Sequence, residues 1–133
     1  MPNMGNITVK KADAVTDIVY TALTPSAGDD TPAQWRSDTA ATINAGKPNA
    51  SLVSKWNGAK SVRRSDFHFV YPQVATNSTT GLASVVNRIP IHVTAQIPQD
   101  VPDAIVAEAV AQAINLFASA LIRDSVKTGY APT

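Results

Sequence analysis

The sequence predicts an α+β fold, an antiparallel sheet built first along the chain and followed by helices. Two stretches alternate with the period of a strand. In Val62–Tyr71, Phe67, Phe69 and Tyr71 fall on one side, and Arg64, Asp66, His68 and Val70 on the other. In Arg88–Ile97, Ile89, Ile91, Val93, Ala95 and Ile97 oppose Arg88, Pro90, His92 and Thr94. After residue 100 the period changes. Val106, Val110, Ala113 and Phe117 recur at helical spacing, with Glu108, Gln112, Asn115 and Ser119 opposite.

Taken in order, residues 7–11 and 18–24 read as two short strands joined through Ala12–Asp17, an N-terminal hairpin. Pro25–Pro32 is a loop by its Pro, Gly and Asp content. Ala33–Thr39 reads as a short strand with Trp35 inward, and Ala45–Asn49 as a break or bulge. Residues 50–56 form the next strand, and Asn57-Gly58 marks a two-residue hairpin turn. That turn would set Lys55 opposite Lys60, Val53 opposite Val62 and Ser51 opposite Arg64. Ser51 and Lys55 would then share the polar face with Arg64 and His68. Pro72 is expected to end the following strand, having no N–H for the ladder. Residues 73–87 read as a long polar loop, of the length usually kept for function. Pro90 argues for a sheet edge or a locally unpaired amide. Asp100–Asp103 reads as a helix start with a capping acid and an early proline. Ala118–Ala120 is expected to break the helix, and Leu121–Lys127 to form a second one ended by Gly129.

The chain has 133 residues, the size of one domain with one modest core. The whole of 1–133 is read as that domain: hairpin over about 6–24, sheet over about 33–97, helices over about 101–128. One long and one short helix are too little to cover such a sheet, and a self-associating dimer is the economical solution. Cysteine is absent, which excludes disulfides and thiolate metal sites. No apolar run reaches membrane-spanning length, so no membrane partner is expected. The start, MPNMGNITV, lacks the features of a signal peptide.

The net charge of +1 conceals a pattern. Residues 47–92 carry six basic side chains against Asp66 alone, while the segments before and after are each net negative. A basic sheet face suits a polyanion. His68 and His92 lack a third ligand at suitable spacing, so neither metal nor cofactor is expected. Asp100 and Asp103 are explained by a helix N-terminus. Trp35 and Trp56 are expected to be buried rather than stacked on bases. Arg63 falls on the apolar side, with no partner evident from the sequence. No phosphate loop, nucleophile elbow or zinc motif is present, and no enzyme activity is expected.

The chain resembles the coat proteins of the single-stranded RNA bacteriophages, the levivirus family. The resemblance covers nearly the whole length. It is carried by AQW at 33–35 after a Pro/Gly/Asp loop and by PQVAT at 72–76 after an aromatic strand. A Thr/Gly-rich loop, the alternating strand 88–97, the acidic helix start at 100–103 and TGY at 128–130 complete it. The resemblance implies an N-terminal hairpin, a five-stranded antiparallel sheet and two C-terminal helices. It implies a dimer with interlocked helices, an icosahedral virion shell assembled in the bacterial cytoplasm, packaged genomic RNA on the sheet, and an RNA hairpin bound to repress translation. The loop 73–87 would contact neighbouring subunits.

Anchored on PQVAT, Arg64 stands where the family has a basic residue and His68 where lysine is common. Arg88 replaces a base-stacking tyrosine, and Pro90 an asparagine. The RNA-facing candidates are Lys47, Asn49, Ser51, Lys55, Lys60, Arg64, His68, Arg88 and His92. Val106, Val110, Phe117 and Leu121 are the candidates for the dimer contact. A small dimeric RNA-binding regulator that never assembles would use the same face and is the alternative.

Overall fold

The computed structural model describes residues 2–133. Six strands form one antiparallel sheet in chain order: β1 (Ile7–Lys10), β2 (Asp17–Thr24), β3 (Ala33–Arg36), β4 (Asn49–Trp56), β5 (Val62–Thr76) and β6 (Ala83–Pro98). Two helices follow, α1 (Asp103–Phe117) and α2 (Ala120–Thr128). The chain divides into two compact units, one ending at Gln96 and the other starting at Ile97.

The N-terminal hairpin is present but not separate from the sheet. β2 pairs with β1 on one side and with β3 on the other, so the sheet has six strands rather than five beside a hairpin. Asp13 closes the turn. Its Oδ1 accepts from the Val15 and Thr16 amides, both at 2.9 Å, and its Oδ2 from the Thr16 hydroxyl at 2.6 Å. These three donors, with the Thr16 hydroxyl foremost, hold the Asp13 carboxyl down at about 2.

The β4–β5 register differs from the predicted one. Lys55 pairs with Arg64, Val53 with Asp66 and Ser51 with His68, four residues along from the two-residue-turn register. The connection is Asn57–Ser61. The Asn57 Oδ1 accepts from the Ser61 amide at 2.9 Å and the Val62 amide at 3.2 Å, and Lys60, not Gly58, takes the left-handed conformation (φ 55°). The shift is even, so every residue of β4 keeps its predicted face.

β5 runs through Pro72 to Thr76, contrary to the expected stop. The ladder with β4 ends at the Asn49–Val70 pair, so Pro72 lies where no amide is required on that side. With β6 starting at Ala83, the expected loop 73–87 shrinks to Asn77–Leu82. Val74, Thr76, Val85 and Val86 are β-branched and extend the strands. The tip is closed by the Asn77 amide on the Leu82 carbonyl (2.8 Å) and by Gly81 in the left-handed region (φ 69°). Beyond Arg36 the third strand stops earlier than expected, and the residues expected to form a break contain a 3₁₀ turn, Asn44–Gly46. Gly46 lies against β5, where a Cβ would overlap the Val74 side chain and crowd Ala41 and Ile43.

α1 begins at Asp103 with Pro102 at the N-cap and no side-chain cap, so Asp100 does not perform the expected capping. The helices separate at Ala118–Ser119 as expected, where the Ser119 hydroxyl donates to the Leu116 carbonyl at 2.6 Å. Gly129 (φ 81°) ends α2, donating its amide to the Ser125 carbonyl.

Little of the chain is buried. Among the described residues the buried core hydrophobics are Tyr20 and Ala50, and neither helix contains a buried residue. The apolar sheet face holds an open trough of about 690 Å³ lined by Ile7, Val9, Tyr20, Trp35, Phe67 and Phe69, among others.

The Gly46 contact yields a test. Gly46→Val forces the 3₁₀ turn off β5 and should destabilise the protein by about 1–3 kcal/mol, read as a lowered urea midpoint. An unchanged midpoint would show that the turn does not need the close approach.

Candidate nucleic-acid interface

Opposed residues of an antiparallel pair share a face, so the registers define the polar side of the sheet. One row runs Arg36, Asn49, Val70; the next Gln34, Ser51, His68; the next Val53 and Asp66; the last Lys55 and Arg64. β6 joins this face through two side-chain contacts. The Thr94 hydroxyl donates to Asp66 Oδ1 at 2.8 Å, and the His92 ring meets His68 at 4.2 Å between centroids. Both contacts give the same pairing offset, and alternation along β6 back from His92 carries Pro90 and Arg88 to this face as well.

The structure therefore brings Asn49, Ser51, Lys55, Arg64, His68, Arg88 and His92 onto one surface. Lys60 stands apart, in the turn at the end of β4. Lys47 precedes β4, and its largely covered ammonium lies 3.5 Å from Asp38. Several of the expected cations are already paired. Lys55 lies 3.8 Å from Asp30, and Arg64 donates to Asp66 at 3.0 Å. The exposed Lys55–Asp30 pair is worth little in water, so a phosphate can compete for that cation. Among the described residues, Lys60 and Arg88 have no acid within ion-pair distance.

Asp66 is the buried acid of this face. The Thr94 hydroxyl first, and then Arg64, hold its carboxyl below the usual carboxylate range. It ties β5 to β6 and fixes the Arg64 guanidinium. Gln34 and Arg36 belong to the same surface but were not among the sequence candidates. Their signal was the alternation around Trp35, which shows its reach only once β3 is registered against β4.

The opposite face carries Trp35 and the Trp56–Arg63 pair. The Trp35 indole donates to the Gly5 carbonyl at 2.9 Å, which makes it an anchor for the N-terminal segment. Arg63 pairs across the strands with Trp56, stacks 4.7 Å from its ring, and donates to Asp29 at 3.0 Å. Of the dimer candidates, Val106 is half-buried, Val110 and Leu121 are exposed, and Phe117 is 51% exposed. Among the described residues no group of three His, Cys, Asp or Glu side chains is placed to hold a metal ion, and no single helix is long and apolar enough to cross a membrane.

No family model matches the sequence, and no curated protein matches it. Solved structures do match. The virus-like particle of bacteriophage NT-214 superposes with a TM-score of 0.83 at 18% identity, over 99% of this chain and 100% of that one. The bacteriophage EMS014 coat protein gives 0.79 at 15% identity, over 99% and 100%. The bacteriophage GA capsid protein gives 0.76 at 12% identity, over 96% and 95%. The chain has the fold of the phage coat proteins, as the sequence resemblance implied.

The Asp66 geometry sets a pH dependence. A carboxyl depressed by folding adds stability at pH values above the usual carboxylate pKa, and that stability is lost as pH falls through the lower folded value. Asp66→Asn should lower the urea midpoint at pH 7 and by the same margin at about pH 5. The margin should narrow only below about pH 4. A margin that already closes by pH 5 would contradict the assignment.

Proposed function

We propose that the chain is a structural coat protein of a single-stranded RNA bacteriophage, with no catalytic role. In this reading two copies form an obligate dimer through α1 and α2, with Val106, Val110, Phe117 and Leu121 at the contact. Dimers close into an icosahedral virion shell, assembled in the host bacterial cytoplasm. Genomic RNA lies against the polar sheet face, held by Lys47, Lys55, Lys60, Arg64 and Arg88, with Asn49, Ser51, His68 and His92 between them. The same face would take up an RNA hairpin and repress translation.

The observation that carries the reading is the missing core. A chain of this length should bury well over half of the surface it exposes when unfolded, yet Tyr20 and Ala50 are the buried core hydrophobics among the described residues. Phe117, Leu121 and Val126 are each more than half exposed. Burying side chains of this size contributes about 1.5–3 kcal/mol each, and a second copy is the partner that a whole-length coat fold supports. RNA affinity in this reading is mainly ionic and falls steeply with salt.

The test is electron microscopy with size-exclusion chromatography on the protein expressed alone in bacteria. Uniform shells with an ultraviolet spectrum of co-packaged RNA are expected; a soluble dimer that forms no particles at any salt or pH would overturn the capsid reading. Phe117→Asp should leave little soluble dimer, because a carboxylate would be buried unpaired at the contact. A normal dimer at micromolar concentration by light scattering would refute the placement of the contact.

A further inference from the structure

Both histidines of the chain lie on the polar sheet face, on facing strands, with ring centroids 4.2 Å apart and planes at 70°. His92 is exposed and His68 half-buried. Across β4 the pair faces Ser51, and beyond it on β3 Gln34, both uncharged. The flanking carboxylate on β5, Asp66, is engaged by Arg64 and Thr94. Of the cations of this face, Arg36 stands in the neighbouring row on β3, held by Asp38 at 2.9 Å, and the others stand further from the pair. Arg64 and Arg88 lie four residues along β5 and β6, roughly 13 Å to opposite sides, and Lys55 lies opposite Arg64.

We propose that His68 and His92 together form a phosphate subsite, filled by a phosphodiester group of RNA when both imidazoles are protonated. Imidazoles gain their charge within the physiological range. Two imidazolium charges this close repel each other unless an anion lies against both. A phosphate oxygen seated over the pair receives an N–H from each ring and offsets that repulsion. Binding and protonation are then linked reciprocally: RNA raises the proton affinity of the pair, and protons raise the affinity for RNA. The subsite fills the gap between Arg64 and Arg88 along the hairpin. The inference rests on the RNA-face reading above.

The test is binding of a fluorescent uridine 20-mer to the full chain at fixed salt, at pH 5.5 and pH 8. Uracil takes up no proton in that range, so proton linkage belongs to the protein. The wild type should bind at least tenfold more tightly at pH 5.5, about tenfold for each linked proton shifted by about one unit. The His68→Gln/His92→Gln variant should bind with the wild-type affinity of pH 8 at both values. A pH-independent wild type, or a variant that keeps the full dependence, would overturn the subsite and leave the RNA face standing. No binding at either pH, even at low salt, would overturn the RNA face itself. A second measurement needs no variant. Proton resonance titration of the two imidazoles should show both curves moving to higher pH when the uridine oligomer is added; unmoved curves would sink the proposal.

Discussion

The apolar face of the sheet is the constraint on which the rest of the structure depends. Six strands in chain order produce one broad surface carrying Ile7, Val9, Tyr20, Trp35, Phe67 and Phe69. Ile7 and Val9 are exposed there and Trp35, Phe67 and Phe69 only half-buried, and apolar surface left open in this way marks an interaction site. The helices carry the same message by themselves, since α1 presents Ile105, Ile114 and Phe117 to solvent and contains no buried residue. In the proposed reading a second copy resolves both, and folding is inseparable from association. In that reading the polar face is left uncovered, because Tyr20, Trp35, Phe67 and Phe69 all lie on the other side.

That polar face is not simply a basic patch. Asp66, Asp38 and Asp30 each lie beside a cation, and Asp66 also takes a hydroxyl bond from β6. Such pairs hold long side chains in place at little net energy. The arrangement leaves Arg88 and Lys60 at the periphery and the two imidazoles in the middle.

The faces of the strands were legible in the sequence, whereas register and strand ends were not. Ser51 and Lys55 fell on the predicted side although the turn was misplaced, because an even shift of register preserves the faces. The turn itself was hidden. Asn57-Gly58 looked sufficient, but the Asn57 side chain caps a longer loop and leaves the left-handed position to Lys60. Residues 73–87 read as a loop from their Ser, Thr and Asn content, while β-branched residues on both flanks carried the strands on. Pro72 misled for a related reason, since its missing amide matters only where a neighbouring strand needs it. The pairing of Arg63 with Asp29 and of Lys55 with Asp30 was out of reach, because it depends on how the loop at 25–32 folds against β4. The site candidates were found by alternation and charge. Of their pairings with aspartates, Arg64–Asp66 is local in sequence, whereas Lys55–Asp30 depends on a contact remote in sequence.

The central claim is that one copy of this chain cannot supply its own core. The most direct measurement is urea unfolding followed by circular dichroism at chain concentrations about a hundredfold apart. Folding coupled to association requires the midpoint to rise with concentration, with no folded monomer at the lower one. A midpoint independent of concentration, from a species of monomer mass, would contradict the account.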